Sequence, residues 1–550
     1  MREYDYIIVG GGAAGCVLAR RLTEDRDVRV LVVEAGGRDS SPLIHLPLAV
    51  GKVWNNPRFN WNYISQPEPY ADGRRLNFPR GKVLGGSSSI NMMSYGRGHH
   101  RDFDRWEQMG ATGWSFASLL PYFRASESYE GSAPHRGRGG PIRVTKSVSP
   151  DPIYRAFLEA GQEVGYPLQQ DHNEPEPHGF SMSQFMVGSG RRSSGAVAYL
   201  APALSRPNLE VRVACLATRI VIERGRAVGV VLSRDGATEQ VRASREVILC
   251  TGAYGSPQLL LLSGIGAAES LKAHGIQPVL DLPGVGENLS DHPQVNLLFS
   301  LRGSSYMRRQ LRADRLAVSL LRNGLFGTGF ASEPPAGATA FIRSGADEPH
   351  PDIQLFCLPY SPKARPWLKP FVAPAEEQMV LKAMLLRPKS RGRVWLSSAN
   401  PAEQPNIVAN FLKEKADRIA LREAVRFCRD LAKTTALGPV VDGELSPSRG
   451  VVGDAEIDGF VRATVETIFH PCGTCRMGQD RMAVVDPELR VRGLSGLRVV
   501  DASVMPDHVG ATINAAVVAV AERAADLIRG KAPRRGRQGR MSPSKASSRQ

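Results

Sequence analysis

The first thirty-six residues restrict this chain more than anything that follows. Residues 4–9 (YDYIIV) form a short β-rich run, Gly10-Gly11-Gly12-Ala13-Ala14-Gly15 supplies a GxGxxG pattern, and residues 13–24 carry the apolar spacing of a helix. A second apolar run, VRVLVV, then ends in Glu34. A glycine pattern alone is weak, but strand, turn, helix and acid-tipped strand in this order predict a dinucleotide-binding βαβ unit. Gly10 makes the tight turn, Gly12 lets the backbone approach a pyrophosphate at the helix N-terminus, and Gly15 lets helix pack on strand. Glu34 is placed to accept the hydroxyls of the adenosine ribose, with Ala35 beside it, and its charge disfavours a 2′-phosphate. The nearest candidates for a second fingerprint, around Gly264 and Gly284, lack the third glycine. One dinucleotide is therefore expected, and the other redox partner is something else.

At 550 residues the chain exceeds the roughly 250–300 residues over which one core keeps growing, so two domains or one elaborated fold are expected. Of the net charge of +16, seven units sit in the last twenty residues, which hold no acid. That tail has no apolar periodicity and no aromatic residue to stack on bases, so it reads as a disordered extension and not as a nucleic-acid platform. Seven cysteines, an odd number, mostly inside apolar runs, argue for buried thiols over a disulfide framework. No apolar leader opens the sequence and no uncharged run reaches the ~20 residues of a membrane span, so a cytoplasmic protein is expected.

Near the C-terminus the stretch IFHPCGTCRMG sets His470 beside Cys472 and Cys475. A zinc site needs four ligands and this stretch offers at most three. A redox dithiol would want Cys-x-x-Cys at a helix start in a small βαβ domain, and that context is missing. Structural or pocket-wall cysteines are the expectation. Elsewhere the loop Gly85-Gly86-Ser87-Ser88-Ser89 offers unhindered N–H groups and hydroxyls to an anionic or carbonyl-bearing ligand.

Six segments together, the N-terminal fingerprint, GKVLGGSSSIN, GAYGSPQLLLLSGIG, LPGVGENLSDH, HPCGTCRMG and LRVVDASVMP, resemble the glucose-methanol-choline (GMC) oxidoreductases, and in that family's order. The resemblance implies a mixed α/β fold in which a Rossmann-like FAD-binding domain is assembled from discontinuous segments, here 1–155, 205–295 and 465–530. A substrate domain built on an antiparallel sheet, 156–204 and 296–464, would cover the alcohol site, and 531–550 would be the basic tail. It further implies FAD contacts from Gly85, Gly86, Ser87, Asn91, Met92, Ala217, Asp501 and Ala502, and catalysis by His470 and Asn514. Members that attach FAD covalently use a histidine where this chain has Ile90, so non-covalent FAD is expected.

The residue chemistry agrees with that carry-over. Moving hydride from an alcohol carbon to flavin N5 requires loss of the hydroxyl proton, and a neutral imidazole suits that task. The Asn514 amide can steady the developing alkoxide, and Asn514 heads the apolar-periodic run NAAVVAVAERAADLI at an apparent N-cap position. His99 and His100 read as solvated or structural, and His508 as loop surface. The expected reaction is oxidation of a primary alcohol to an aldehyde, aliphatic or aromatic sooner than a sugar; the alternative is a non-redox relative, a cyanohydrin lyase or a photodecarboxylase. Choline recognition would need aromatic faces and an acid, with Trp61, Tyr63 and Trp367 as candidate aromatics. Oxygen, a quinone or a small carrier would take the electrons, and a quinone would favour peripheral contact with the inner face of the membrane through the basic tail.

Overall fold

The computed structural model describes residues 3–131 and 133–534; from residue 535 onward the expected basic tail lies outside the described residues. Two seven-stranded sheets organise the chain. The first begins where the sequence predicts: Glu3–Val9 pairs in parallel with Val30–Val33 on one side and with Ala237–Leu249 on the other. Leu209–Arg212 extends the parallel set beyond Val30–Val33, and Leu497–Val499 adds in parallel to Ala237–Leu249. Strands buried on both faces read as continuous apolar runs, which is what YIIV and VLVV show. Arg226–Arg234 and Leu216–Glu223 complete the sheet as antiparallel neighbours.

The first helix, Ala13–Leu22, packs along the last one, Asn514–Ile528. Arg21 of the former is buried against two acids of the latter, Glu522 and Asp526, with 2.6 Å from its Nη2 to Asp526 Oδ1. A buried arginine is tolerated only when its charge and donors are matched, and this pair fixes the register in which the two helix N-termini approach the same cleft.

The second sheet is antiparallel, in the order Val441–Ser446, Pro293–Leu301, Gln378–Leu385, Ile353–Leu358, Ala338–Ile342, Gly179–Met182. Alternation sends Val295, Leu297 and Phe299 of one strand, with Met379, Leu381 and Ala383 of its neighbour, into a core capped by Leu421, Val425 and Cys428 of the helix Lys415–Ala432. The opposite face of this sheet, carrying Phe356, Leu358 and Lys382, is turned to the cleft. None of the described helices is long and apolar enough to cross a membrane.

Candidate functional site

A cavity of about 450 Å³ runs from the fingerprint turn to the face of the antiparallel sheet. Gly10, Gly12, Glu34, Ala35, Gly86, Ser87, Asn91, Met92, Ala217, Asp501 and Ala502 line it, and so do His470 and Asn514. Gly15 and Gly85 stand behind that wall. A Cβ on Gly15 would come within 2.0 Å of the Gly10 carbonyl oxygen, so this glycine serves helix-on-strand contact. Gly85, at φ +84°, donates its N–H to the Gly11 carbonyl at 2.7 Å and so ties the serine loop to the fingerprint.

Several features fit a bound FAD. The helix Ala13–Leu22 has no side-chain cap, and Gly12, Ala13 and Ala14 at its start line the cavity, leaving backbone donors for a pyrophosphate. Gly252 has φ +80° and nothing within 4 Å of a built Cβ, so a side chain there would enter the cleft. The Glu34 carboxylate accepts from Gly11 N at 3.0 Å and from Gly36 N at 2.7 Å, which orients it toward the cleft while leaving lone pairs for ribose hydroxyls. Burial outweighs those two donors and lifts its pKa to about 7. Asp501 accepts from Gly252 N at 2.9 Å, Ser256 Oγ at 2.6 Å and Ser503 N at 2.8 Å, locking the loop after Leu497–Val499 to the helix Gly252–Leu262. Ile90 is buried and offers no atom for a covalent flavin link.

At the other end His470 sits on a constrained loop. Phe469 just before it has φ +71°, a costly conformation for a bulky residue, and three contacts hold it there. Arg80 Nη2 donates to the Phe469 carbonyl at 2.6 Å, the Phe469 N–H donates to Thr467 Oγ1 at 2.6 Å, and the His470 N–H donates to Asp291 Oδ1 at 2.8 Å. Burial first, and a hydrogen bond from Thr467 against it, leaves the Asp291 carboxyl raised to about 6.

The tautomer of His470 follows from its partners. His292 Nε2 lies 3.0 Å from the Leu386 carbonyl oxygen, which can only accept, so that nitrogen carries the proton and Nδ1 carries a lone pair. His292 Nδ1 is 3.0 Å from His470 Nδ1, so His470 donates from Nδ1 and keeps its lone pair on Nε2. His508 stacks on His292 with ring centroids 3.6 Å apart and donates from Nε2 to the His470 carbonyl at 2.8 Å. Burial, then the nearby His508 and Arg80, push the His470 pKa well below its usual value; burial does the same to His292 and takes His508 to about 4. The ring at 470 is thus neutral, oriented and basic at one nitrogen.

The structure revises two readings. His508 is buried, not a loop-surface residue. The N-cap of the last helix is Ile513, in a helical conformation and with no side-chain cap bond, so Asn514 is the first helical residue. Among the described residues no partner bonds the Asn514 amide, which leaves it for a ligand in the cavity. The cysteines of the Cys-x-x-Cys stretch are free and fully buried, and burial raises both thiols far above their normal pKa. Neither is among the cavity-lining residues: Cys472 pairs its backbone with Ser290, and Cys475 N–H donates to the Ser503 carbonyl at 2.8 Å. They are structural. His99 is the buried cap of the helix His100–Gln108, while His100 is half-buried between Asp104 and Glu176. Trp61 and Tyr63 line the cavity, stacked 5.8 Å apart, but Trp367 is engaged elsewhere, its indole N–H on the Arg308 carbonyl. His292 had no role assigned from sequence, although it closes the LPGVGENLSDH segment; an imidazole ending a segment next to a buried acid was the available signal.

Comparison with known proteins agrees with this architecture. Profiles described as GMC oxidoreductase match residues 4–294 and 388–521. An oxygen-dependent choline dehydrogenase of Brucella canis is 42% identical over 541 residues, covering 96% of either chain. Among solved structures, pyridoxine 4-oxidase from Mesorbium loti superposes with TM-score 0.86 at 32% identity, over 96% of this chain and all of the other. A formate oxidase of Aspergillus oryzae, studied for FAD modification, gives 0.89 at 30% identity over 96% and 98%.

Proposed function

The chain belongs to the GMC oxidoreductase family, and on that premise we propose that this FAD-dependent alcohol dehydrogenase or oxidase converts a primary alcohol to an aldehyde with His470 as the base. The observation that carries the assignment is the chain of hydrogen bonds from the Leu386 carbonyl through His292 to His470, which puts the only free imidazole lone pair of the pair on Nε2. His470 Nε2 takes the hydroxyl proton. The fingerprint turn, the serine loop and Asp501-Ala502 would hold FAD, which when bound would supply the hydride acceptor at N5. Asn514 donates its amide to the same substrate oxygen as negative charge develops there. The uncapped N-terminus of Asn514–Ile528 places the positive end of a 15-residue helix at the cavity, which favours negative charge on what lies against it. Phe469, Ile468, Phe356 and Leu358 make the surroundings apolar, so the proton transfer occurs away from bulk water.

The relatives are named for choline, pyridoxine and formate, so their names agree on the chemistry and differ on the substrate. The electron acceptor is oxygen, a quinone or a small carrier. The test is turnover of a panel of alcohols by the purified yellow protein, anaerobically and with air or dyes, followed as bleaching of the flavin absorbance. Bleaching by at least one alcohol is expected; carbon–carbon cleavage without bleaching by any alcohol would refute the reading.

A further inference from the structure

Among the described residues, Lys382 is the one charged residue on the cavity face of the antiparallel sheet that makes no direct bond to the protein. It occupies the middle of Gln378–Leu385, opposite Asn296 on one side and Phe356 on the other. Its chain neighbours Leu381 and Ala383 point into the core on the far side, so Lys382 is turned to the cavity that holds His470 and Asn514. Burial depresses the Lys382 pKa, and the Glu466 carboxylate opposes that depression. Glu466 does not pair with it directly: its Oε1 already accepts from Gln294 Nε2 at 2.9 Å and Asn296 Nδ2 at 2.6 Å, and among the described residues no hydrogen bond or ion pair involves Lys382 Nζ. The three donors of an ammonium are therefore offered to the cavity.

The remaining charges along the wall do not compensate it. Glu34 and Asp501 are bound by backbone N–H groups at the dinucleotide end, and Glu403 is on the exposed rim. Arg80 gives two of its donors, at Nε and Nη2, to the carbonyls of Pro79 and Phe469, and being cationic itself it offers Lys382 no counter-charge. A partly buried cation whose nearby carboxylate, Glu466, makes no direct bond to it is stabilised by an anion brought by the ligand, and it repels a second cation.

We propose that Lys382 selects the substrate: the preferred alcohols carry a carboxylate at the end remote from the hydroxyl, which pairs with the Lys382 ammonium, and quaternary-ammonium alcohols are disfavoured. This rests on the alcohol-oxidising reading of the same cavity. A charge-assisted hydrogen bond of this kind corresponds to about tenfold or more in apparent affinity.

The experiment compares ω-hydroxycarboxylates of increasing length, alkan-1-ols of equal length and choline, by anaerobic flavin reduction in the wild-type holoenzyme and in Lys382→Met and Lys382→Arg. The wild type is expected to favour the best hydroxycarboxylate over its neutral counterpart by about tenfold or more in kcat/KM, chiefly through KM. Lys382→Met should collapse that ratio and Lys382→Arg should retain most of it. Independently of any variant, simple alkanoates that cannot be oxidised should bind the wild type, seen as a perturbed flavin spectrum, and compete with the alcohol. A wild type that prefers choline or neutral alcohols, or a ratio unchanged in Lys382→Met, overturns the proposal while leaving alcohol oxidation intact. If no alcohol of any charge bleaches the flavin, it is the oxidoreductase reading that fails, and this one with it.

Discussion

Replacing His292 by phenylalanine tests the proton arrangement at its decisive bond. Phenylalanine keeps the ring that stacks on His508 at 3.6 Å but removes the Nδ1 lone pair 3.0 Å from His470. The His470 Nδ1–H is then left buried without an acceptor, which costs about 1–3 kcal/mol. The imidazole escapes that cost by moving its proton to Nε2, the nitrogen that must accept from the alcohol. A bias of this size against the active tautomer, at about 1.4 kcal/mol per tenfold, lowers the rate of flavin reduction roughly 5- to 150-fold. Since the alcohol needs no base in order to bind, the loss should fall on kcat, with KM nearly unchanged. The Leu386 carbonyl also loses its donor, so a modest drop in Tm is expected alongside. Stopped-flow reduction under anaerobic conditions reads the rate, and flavin content and Tm exclude misfolding. In His292→Ala, which leaves an imidazole-sized gap, added imidazole should restore part of the rate. Flavin reduction within about twofold of the wild type in a fully loaded His292→Phe protein would refute the tautomer argument.

Three further outcomes follow from the same geometry. Asn514→Ala should lower kcat by about 10- to 1,000-fold, as loss of a donor to a developing oxyanion does, with little change in Tm because among the described residues the side chain has no bonding partner; an unaltered kcat would remove Asn514 from the reaction. Gly86→Ala puts a Cβ 2.8 Å from Gly12 Cα at a backbone φ of +54°, so the serine loop must leave the fingerprint turn; a colourless or weakly loaded protein is expected, and normal flavin absorbance would show that the two loops need not touch. In the pH profile of kcat/KM, a base whose folded pKa is pushed well below 6.5 stays deprotonated down to that lower value, so activity should be flat near neutrality and fall only as the pH drops well below 6.5; a limb centred at or above pH 7 would contradict His470 as the group titrating.

The fingerprint half of the molecule was readable because its determinants are local. Gly10, Gly12 and Gly15 act on backbone within the same thirty residues, and the apolar runs on either side can only be buried strands. His470 was readable through the segment that carries it, while the strain at Phe469 beside it was not, since nothing in IFHPCG announces a positive φ. From sequence Asn514 reads as a helix cap because asparagine before an apolar run usually is one. The chain at Ile513 is already helical, with Thr512 Oγ1 docked on the Ser94 carbonyl at 3.1 Å, so tertiary contact and not local preference sets where the helix starts.

The parts that resist a linear reading are those whose chemistry is made by distant partners. His508, between Asp507 and Val509, looks like surface until His292, from a remote segment, stacks on it; His292 and His470 are 178 positions apart, and neither ring's protonation can be assigned without the other. Lys382 in the run VLKAML looks like a lapse in a buried strand, and only the pairing with Asn296 and Phe356 shows that the lysine points into a cavity instead of a core. Motif identity and chemical specificity therefore separate in this fold. A chain that changed only His292, the last residue of LPGVGENLSDH, is expected to keep the cofactor and turn over slowly, and one that kept all six segments but exchanged Lys382 is expected to prefer a different alcohol. In the proposed mechanism the segments fix where hydride and proton leave, and the sheet face opposite them decides what is brought there.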